Sequence, residues 1–391
     1  MEIFNRLSTP FEGNFAALTA ELATHHFRLF CVQASDLAKQ HGYGPDARVV
    51  EIIQRLAQRP ASTAYWTPEV SVLCFGLLKR PFSEGGWNWL RAQIALAAHL
   101  TGVTTGLELD VETNAPLIVC GQVIPAARLV IRGGPDRLTL QTEGAASPRS
   151  FSVIARRNGS PVWAEDGTAA SFVHVDGQPA IRVVNGYWHS TWSDGCETGL
   201  SRPLATVDHQ AAIAQFQEAF ALLDRFMPEY RAWVFCLLRE ITPMVRPAPT
   251  MTASGSSHRR FGGVDLCVPA SPLETVELLI HECSHQYYHL AHWVGSFVTP
   301  EAKSYYSPIK KSERPLDRIL GGYHAYGNVL IAFDQLRAAG LEQEISKRYG
   351  EISTLMLDLR VPVENEVGLS ELGLALSRPL RSRLTQGRLV A

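Results

Sequence analysis

One stretch constrains this chain more than any other: residues 271–295, "SPLETVELLIHECSHQYYHLAHWVG". It opens with Ser271-Pro272-Leu273-Glu274, placing Ser at an N-cap, Pro at the first helical position and Glu at the third, a capping box. No helix breaker follows before Gly295, so the spacing predicts one long helix. Within it lies His281-Glu282-Cys283-Ser284-His285, an H-E-x-x-H. Residues four apart share a helix face. The two imidazoles can therefore converge on one divalent ion, with Glu282 beside the site and under no need to ligate. Cys283 points off that face and reads as packing. His289 and His292 prolong the stripe and read as solvent or core groups.

Two histidines alone hold a metal poorly, so a third donor is expected downstream. The extended histidine pattern of one protease group fails here, because Tyr288 stands where it needs Gly and Ala291 where it needs His. Glu301, Glu313, Asp317 and His324 remain, and His324 is the preferred ligand. It sits in "RPLDRILGGYHAYGNVLIAFDQL" (314–336), a second predicted helix, in which Gly321, Gly322 and Gly327 would allow close approach to the first. Ahead of the metal helix, "RPAPTMTASGSSH" (246–258) reads as a loop and "RRFGGVDLCVP" (259–269) as a strand. A strand edge beside a metal helix can hold an extended peptide.

The rest of the chain divides by pattern. Residues 1–105 form a helical N-terminal region, with "FAALTAELATHHFRLFCVQASDLAKQ" and "WNWLRAQIALAAHLTG" apolar at helical spacing. Residues 106–206 are strand-rich, with short β-branched runs punctuated by Gly, Pro and Asn. Residues 207–391 turn helical again, including "EYRAWVFCLLREI", and contain the metal motif. The expected fold class is α+β, with a helical and strand-rich N-terminal part and a zincin-like, mostly helical C-terminal part. "GYWHSTWSDGCETG" (186–199), with Trp188, His189, Trp192 and Cys196, reads as a packed aromatic corner.

Several classes of partner are not expected. The formal net charge is −2, with no basic run to track a phosphate backbone, which argues against nucleic acid. No apolar stretch approaches the ~18 residues a membrane helix needs. The N-terminus lacks the basic and apolar blocks of a secretory signal. The seven cysteines are scattered, odd in number and without a C-x-x-C pair, which predicts reduced thiols in the cytoplasm.

Three functions fit these residues. In a zinc metallopeptidase, three protein ligands leave a position for water, and Glu282 would be the general base. A non-enzymatic, metal-stabilised peptide-binding protein would need the fold without the chemistry. The third comes from a resemblance. "LLIHECSHQ", followed by "YYSPIKKSERPLDRILGGYHAYGNVLIAF" (305–333), resembles the HExxH-motif peptide-modification family of α-ketoglutarate-dependent peptide β-hydroxylases, over residues ~250–335. That family acts on ribosomally made precursor peptides.

The resemblance implies Fe(II) held by His281, His285 and a third donor, His324 being preferred. It also implies α-ketoglutarate as cosubstrate, its decarboxylation to succinate and hydroxylation of a peptide β-carbon. Such a site needs open positions on the metal and a cation for the cosubstrate's distal carboxylate. Arg314 is the candidate for that cation, since a guanidinium grips a carboxylate with two hydrogen bonds. Arg259 and Arg260 compete for the role, and Tyr305, Tyr306 and Ser307 could add hydrogen bonds. Glu282 would then orient a ligand or ligate rather than act as base. The chain departs from the family wording at Gly321, where relatives carry His.

Overall fold

The computed structural model describes residues 2–78, 82–167, 172–184, 208–246 and 253–388, and is an α+β structure. The 186–199 aromatic cluster lies outside the described residues. After a 3-10 turn at Glu2–Leu7, the N-terminal helices are α1 (Phe15–Gln40), α2 (Ala47–Gln58), the short α3 (Pro68–Ser71) and α4 (Leu73–Leu78), and α5 (Glu84–Leu100). Their starts are written locally: Asn14, Asp46 and Ser83 side chains each accept a hydrogen bond from the first turn of α1, α2 and α5.

The strand-rich segment contains β1 (Leu107–Glu112), the small hairpin β2 (Leu117–Val119) and β3 (Gln122–Ile124), β4 (Arg128–Gly133), β5 (Arg137–Thr142), β6 (Arg149–Arg157) and β7 (Ser160–Glu165). Strands β1, β4, β5, β6 and β7 make an antiparallel sheet in that order. The next hairpin, β8 (Phe172–Val175) and β9 (Gln178–Val183), belongs to a different sheet. The described strands of residues 106–206 thus divide among two five-stranded sheets and the separate β2–β3 hairpin.

That second sheet carries the candidate site. After α6 (His209–Phe226) and α7 (Pro228–Leu237) come β10 (Glu240–Val245), β11 (Ser254–Ser257), β12 (Arg260–Val268) and α8 (Pro272–His292). The strand order is β11-β12-β10-β9-β8. β9, β10 and β12 run parallel, and β11 is an antiparallel edge. Two local expectations are corrected here. The segment 246–258, expected to be loop, holds edge strand β11, whereas the expected strand at 259–269 is interior. The helix expected through Ile241 stops at Leu237, and Glu240–Val245 is a strand. The chain closes with the β13 (Ser304–Ser307) and β14 (Ser312–Pro315) hairpin and helices α9 (Leu316–Ala338), α10 (Glu342–Glu364) and α11 (Glu371–Arg388).

Helix α8 starts as its sequence dictates. Ser271 Oγ accepts from the Glu274 amide, and the Glu274 carboxylate accepts from the Ser271 amide. It lies over β11 and β12 and against α6, α7 and α9. Tyr287 stacks on Trp233 of α7 at 3.5 Å between ring centroids. Gln286 ties the helix to the sheet: its Oε1 accepts from Trp66 Nε1 and from the Gly262 amide. Gly262 has φ +70°, and a Cβ there would stand 2.8 Å from the Trp66 carbonyl oxygen. Only glycine meets both demands.

Arg260 is fully buried at the start of β12. It donates to Glu240 of β10 at 3.0 Å, to Thr242 at 2.5 Å, and to Asp265. Its competing role as a cosubstrate cation is therefore corrected: its charge is matched inside the sheet. Of the three glycines expected to admit the metal helix, only Gly321 faces α8, across the Tyr288 ring; Gly322 faces Leu359 and Ile309, and Gly327 faces Leu380 of α11.

Candidate metal site

On α8 the i, i+4 spacing brings His281 and His285 together. Their Nε2 atoms are 3.2 Å apart and their rings stand nearly perpendicular, at 83°. Burial pushes the His281 imidazole down to about 4, and the charge of Arg348 adds to this. Burial also holds His285 well below the usual imidazole range, helped by His281 and His289. Both rings are thus neutral at pH 7, the form that ligates. Two nitrogens bound to one ion at about 2.1 Å and roughly 90–110° apart stand about 3.0–3.4 Å from each other. The pair fits that requirement.

Glu282 points to the sheet. Its Oε1 accepts from Ser254 Oγ on edge strand β11 at 2.6 Å. Burial pushes its carboxyl up to about 7, against the opposing pull of the Ser254 and Ser256 hydroxyls. The carboxylate lies 4.0 Å from His281 Nε2. Tyr326 of α9 covers His281, with ring centroids 4.6 Å apart, and burial pushes its hydroxyl up to about 12. Farther along α8, His289 stacks on His285 at 6.3 Å and approaches His258 at 5.9 Å. Cys283 is buried, and burial raises its thiol.

The preferred third donor is placed elsewhere. His324 is fully buried in α9, and its Nε2 donates to the Ser8 carbonyl at 2.8 Å and the Leu7 carbonyl at 3.2 Å. Burial drives it down to about 4, against hydrogen bonds to the Ser8, Leu7 and Ser284 carbonyls. This histidine fastens the N-terminal segment to α9. Glu301 and Glu313 are exposed, and Asp317 pairs with Arg318 at 3.7 Å. Among the described residues no three His, Cys, Asp or Glu side chains form a group able to hold a metal. Two donors fit a metal; a third is not assembled in this arrangement.

The cosubstrate candidates lie on the β13–β14 hairpin, which packs on α9 and α10. Arg314 is paired across the ladder with Tyr305. Ser307 is buried, and its Oγ accepts from the Lys310 amide at 3.4 Å. Among the described residues, none of Arg314, Tyr305 and Ser307 forms a hydrogen bond or ion pair with His281, Glu282 or His285. The cation whose charge further depresses His285, His289 and His292 is Arg318.

Sequence reading missed Ser254, Tyr326 and Arg318. Ser254 sits in a Ser/Gly run that reads as loop. Tyr326 and Arg318 flank His324 on the same helix, and only the crossing of α9 over α8 selects them. No family model and no curated protein matches the chain.

Proposed function

We propose that His281 and His285 anchor a divalent metal for chemistry on a peptide, and that the reaction is iron(II)- and α-ketoglutarate-dependent β-hydroxylation of a ribosomally made precursor. The observation that carries the metal is the 3.2 Å approach of two neutral imidazoles on one helix face. The hydroxylase reading rests on the resemblance over residues ~250–335. When bound, iron(II) and α-ketoglutarate supply the oxidising chemistry. The chain's own part is to position. Glu282, tethered by Ser254, fixes the helix against the edge strand. Strand β11 has a neighbour on one side only among the described strands, so an extended peptide can add to its free edge, next to the histidine pair.

One observation favours a second reading, a zinc metallopeptidase: the Glu282 carboxyl, raised to about 7 and so near the operating pH of a general base, lies 4.0 Å from His281 Nε2. Either enzyme would work in the cytoplasm, a reading supported by the six described cysteines, all free thiols. No helix among the described residues is long and apolar enough to cross a membrane. The deciding experiment supplies iron(II), α-ketoglutarate, O₂ and a panel of precursor peptides to protein prepared without oxygen. Hydroxylation predicts succinate and a peptide heavier by about 16 Da, one oxygen atom. Peptide cleavage with zinc alone, abolished by Glu282→Gln, and no succinate would overturn the hydroxylase and establish the peptidase.

A further inference from the structure

A second site of different chemistry lies between the two sheets. A cleft of about 750 Å³, counting the part open to solvent, is lined by Arg157, Arg182, Arg239, Glu69, Thr101 and Trp163 among others. Arg157 ends β6 of the first sheet. Arg239 immediately precedes β10 of the second. Their guanidinium Nη1 atoms donate to the same acceptor, the Leu238 carbonyl oxygen, at 2.8 and 3.1 Å. Two cations thus sit side by side on one neutral oxygen.

The surroundings do not offset them. Arg182 is matched, facing Glu69 at 3.8 Å and Glu240 at 3.6 Å. Arg157 and Arg239 form no ion pair with any described carboxylate. The other acceptors of Arg239 are the Thr63 and Cys236 carbonyls. Arg157 is held in place from below by the Phe235 ring, 3.6 Å from its guanidinium carbon. Both are partly buried: burial first, then the neighbouring Arg239 guanidinium, pulls Arg157 well below its ordinary value, and burial brings Arg239 down to about 10. Two like charges this close, desolvated and pinned, cost free energy that an anion between them would return.

We propose that Arg157 and Arg239 form an oxyanion site, which takes the carboxylate or phosphate group of a small molecule in the cleft between the two sheets. A guanidinium suits a planar carboxylate or a phosphate; among the described residues, the hydrogen bonds of Arg157 engage its Nη1 and those of Arg239 its Nη1 and Nη2, so the Nε and Nη2 of Arg157 and the Nε of Arg239 are the donors left for an anion. No residue of α8 lines the cleft, so the site is independent of the histidine pair.

The test is calorimetric titration of the full-length protein with inorganic phosphate and, separately, with succinate, at fixed ionic strength in chloride. Saturable binding of either anion is expected; which one binds assigns the oxyanion. Arg157→Gln and Arg239→Gln should each weaken binding at least about tenfold, while His281→Ala leaves it unchanged. Thermal unfolding gives a second readout. Each Arg→Gln variant should lose the anion-dependent rise in Tm that the parent shows. No saturable binding of either anion overturns the proposal. So does binding that both substitutions leave intact.

Discussion

The neutral imidazoles of this chain make a prediction about acid. His26 of α1 is buried, with its Nε2 3.3 Å from the Leu290 carbonyl, and burial holds it down to about 4 instead of the usual 6.5. The folded state therefore prefers His26 neutral, while the unfolded chain takes up its proton near pH 6.5. Its contribution to stability is complete above pH 6.5 and is lost as the pH falls towards 4, worth up to roughly 3 kcal/mol. Denaturant unfolding of wild type and His26→Gln at pH 7.5 and 4.5 measures this: the variant should lose less stability on acidification. An identical loss in both proteins contradicts it. Buried Glu282 and Glu277 have raised values and act with the opposite sign, gaining stability as they protonate. At this scale the sequence was informative where geometry is local. Four residues on a helix fix a shared face, so the His281–His285 pair could be read directly. His324 could not be placed that way. Whether it reaches the pair or the Ser8 carbonyl depends on where two distant segments pack.

Helix α8 was legible as an element because its start is written in four consecutive residues. Ser271→Ala removes the side-chain acceptor for the Glu274 amide and should cost about 1 kcal/mol; the Cm for urea should fall with no change in m. No change in Cm would mean that burial of α8 sets its start without the cap. The β strands of the second sheet were less legible, for two physical reasons. Ser254–Ser257 is small and polar, so its strand state comes from pairing with β12 rather than from propensity. Glu240–Val245 follows a helix without a Gly or Pro break, and its polar Glu240 and Thr242 point into a buried charge network. Alternation of apolar and polar residues fails as a guide when the polar ones are buried too.

For the whole molecule, the fold class and the order of helical, strand-rich and helical segments followed from periodicity. The division of the strands among separate sheets did not, because pairing partners are long-range. What joins β10 to β12 is partly ionic. Arg260, 2% exposed, serves Glu240, Asp265 and Thr242 at once. Arg260→Ala would remove the buried guanidinium that Glu240 and Asp265 share and should destabilise the protein by about 3–5 kcal/mol; a loss below about 1 kcal/mol in urea would contradict that reading. The same sheet supports α8, so its integrity governs the histidine pair as well. The most direct test of that pair is an anaerobic titration of the full-length protein with iron(II), repeated with zinc(II), on wild type, His281→Ala and His285→Ala. The account predicts one ion per chain, with affinity falling about 100-fold or more in each variant. Absence of stoichiometric binding, or equal binding by all three proteins, would contradict it.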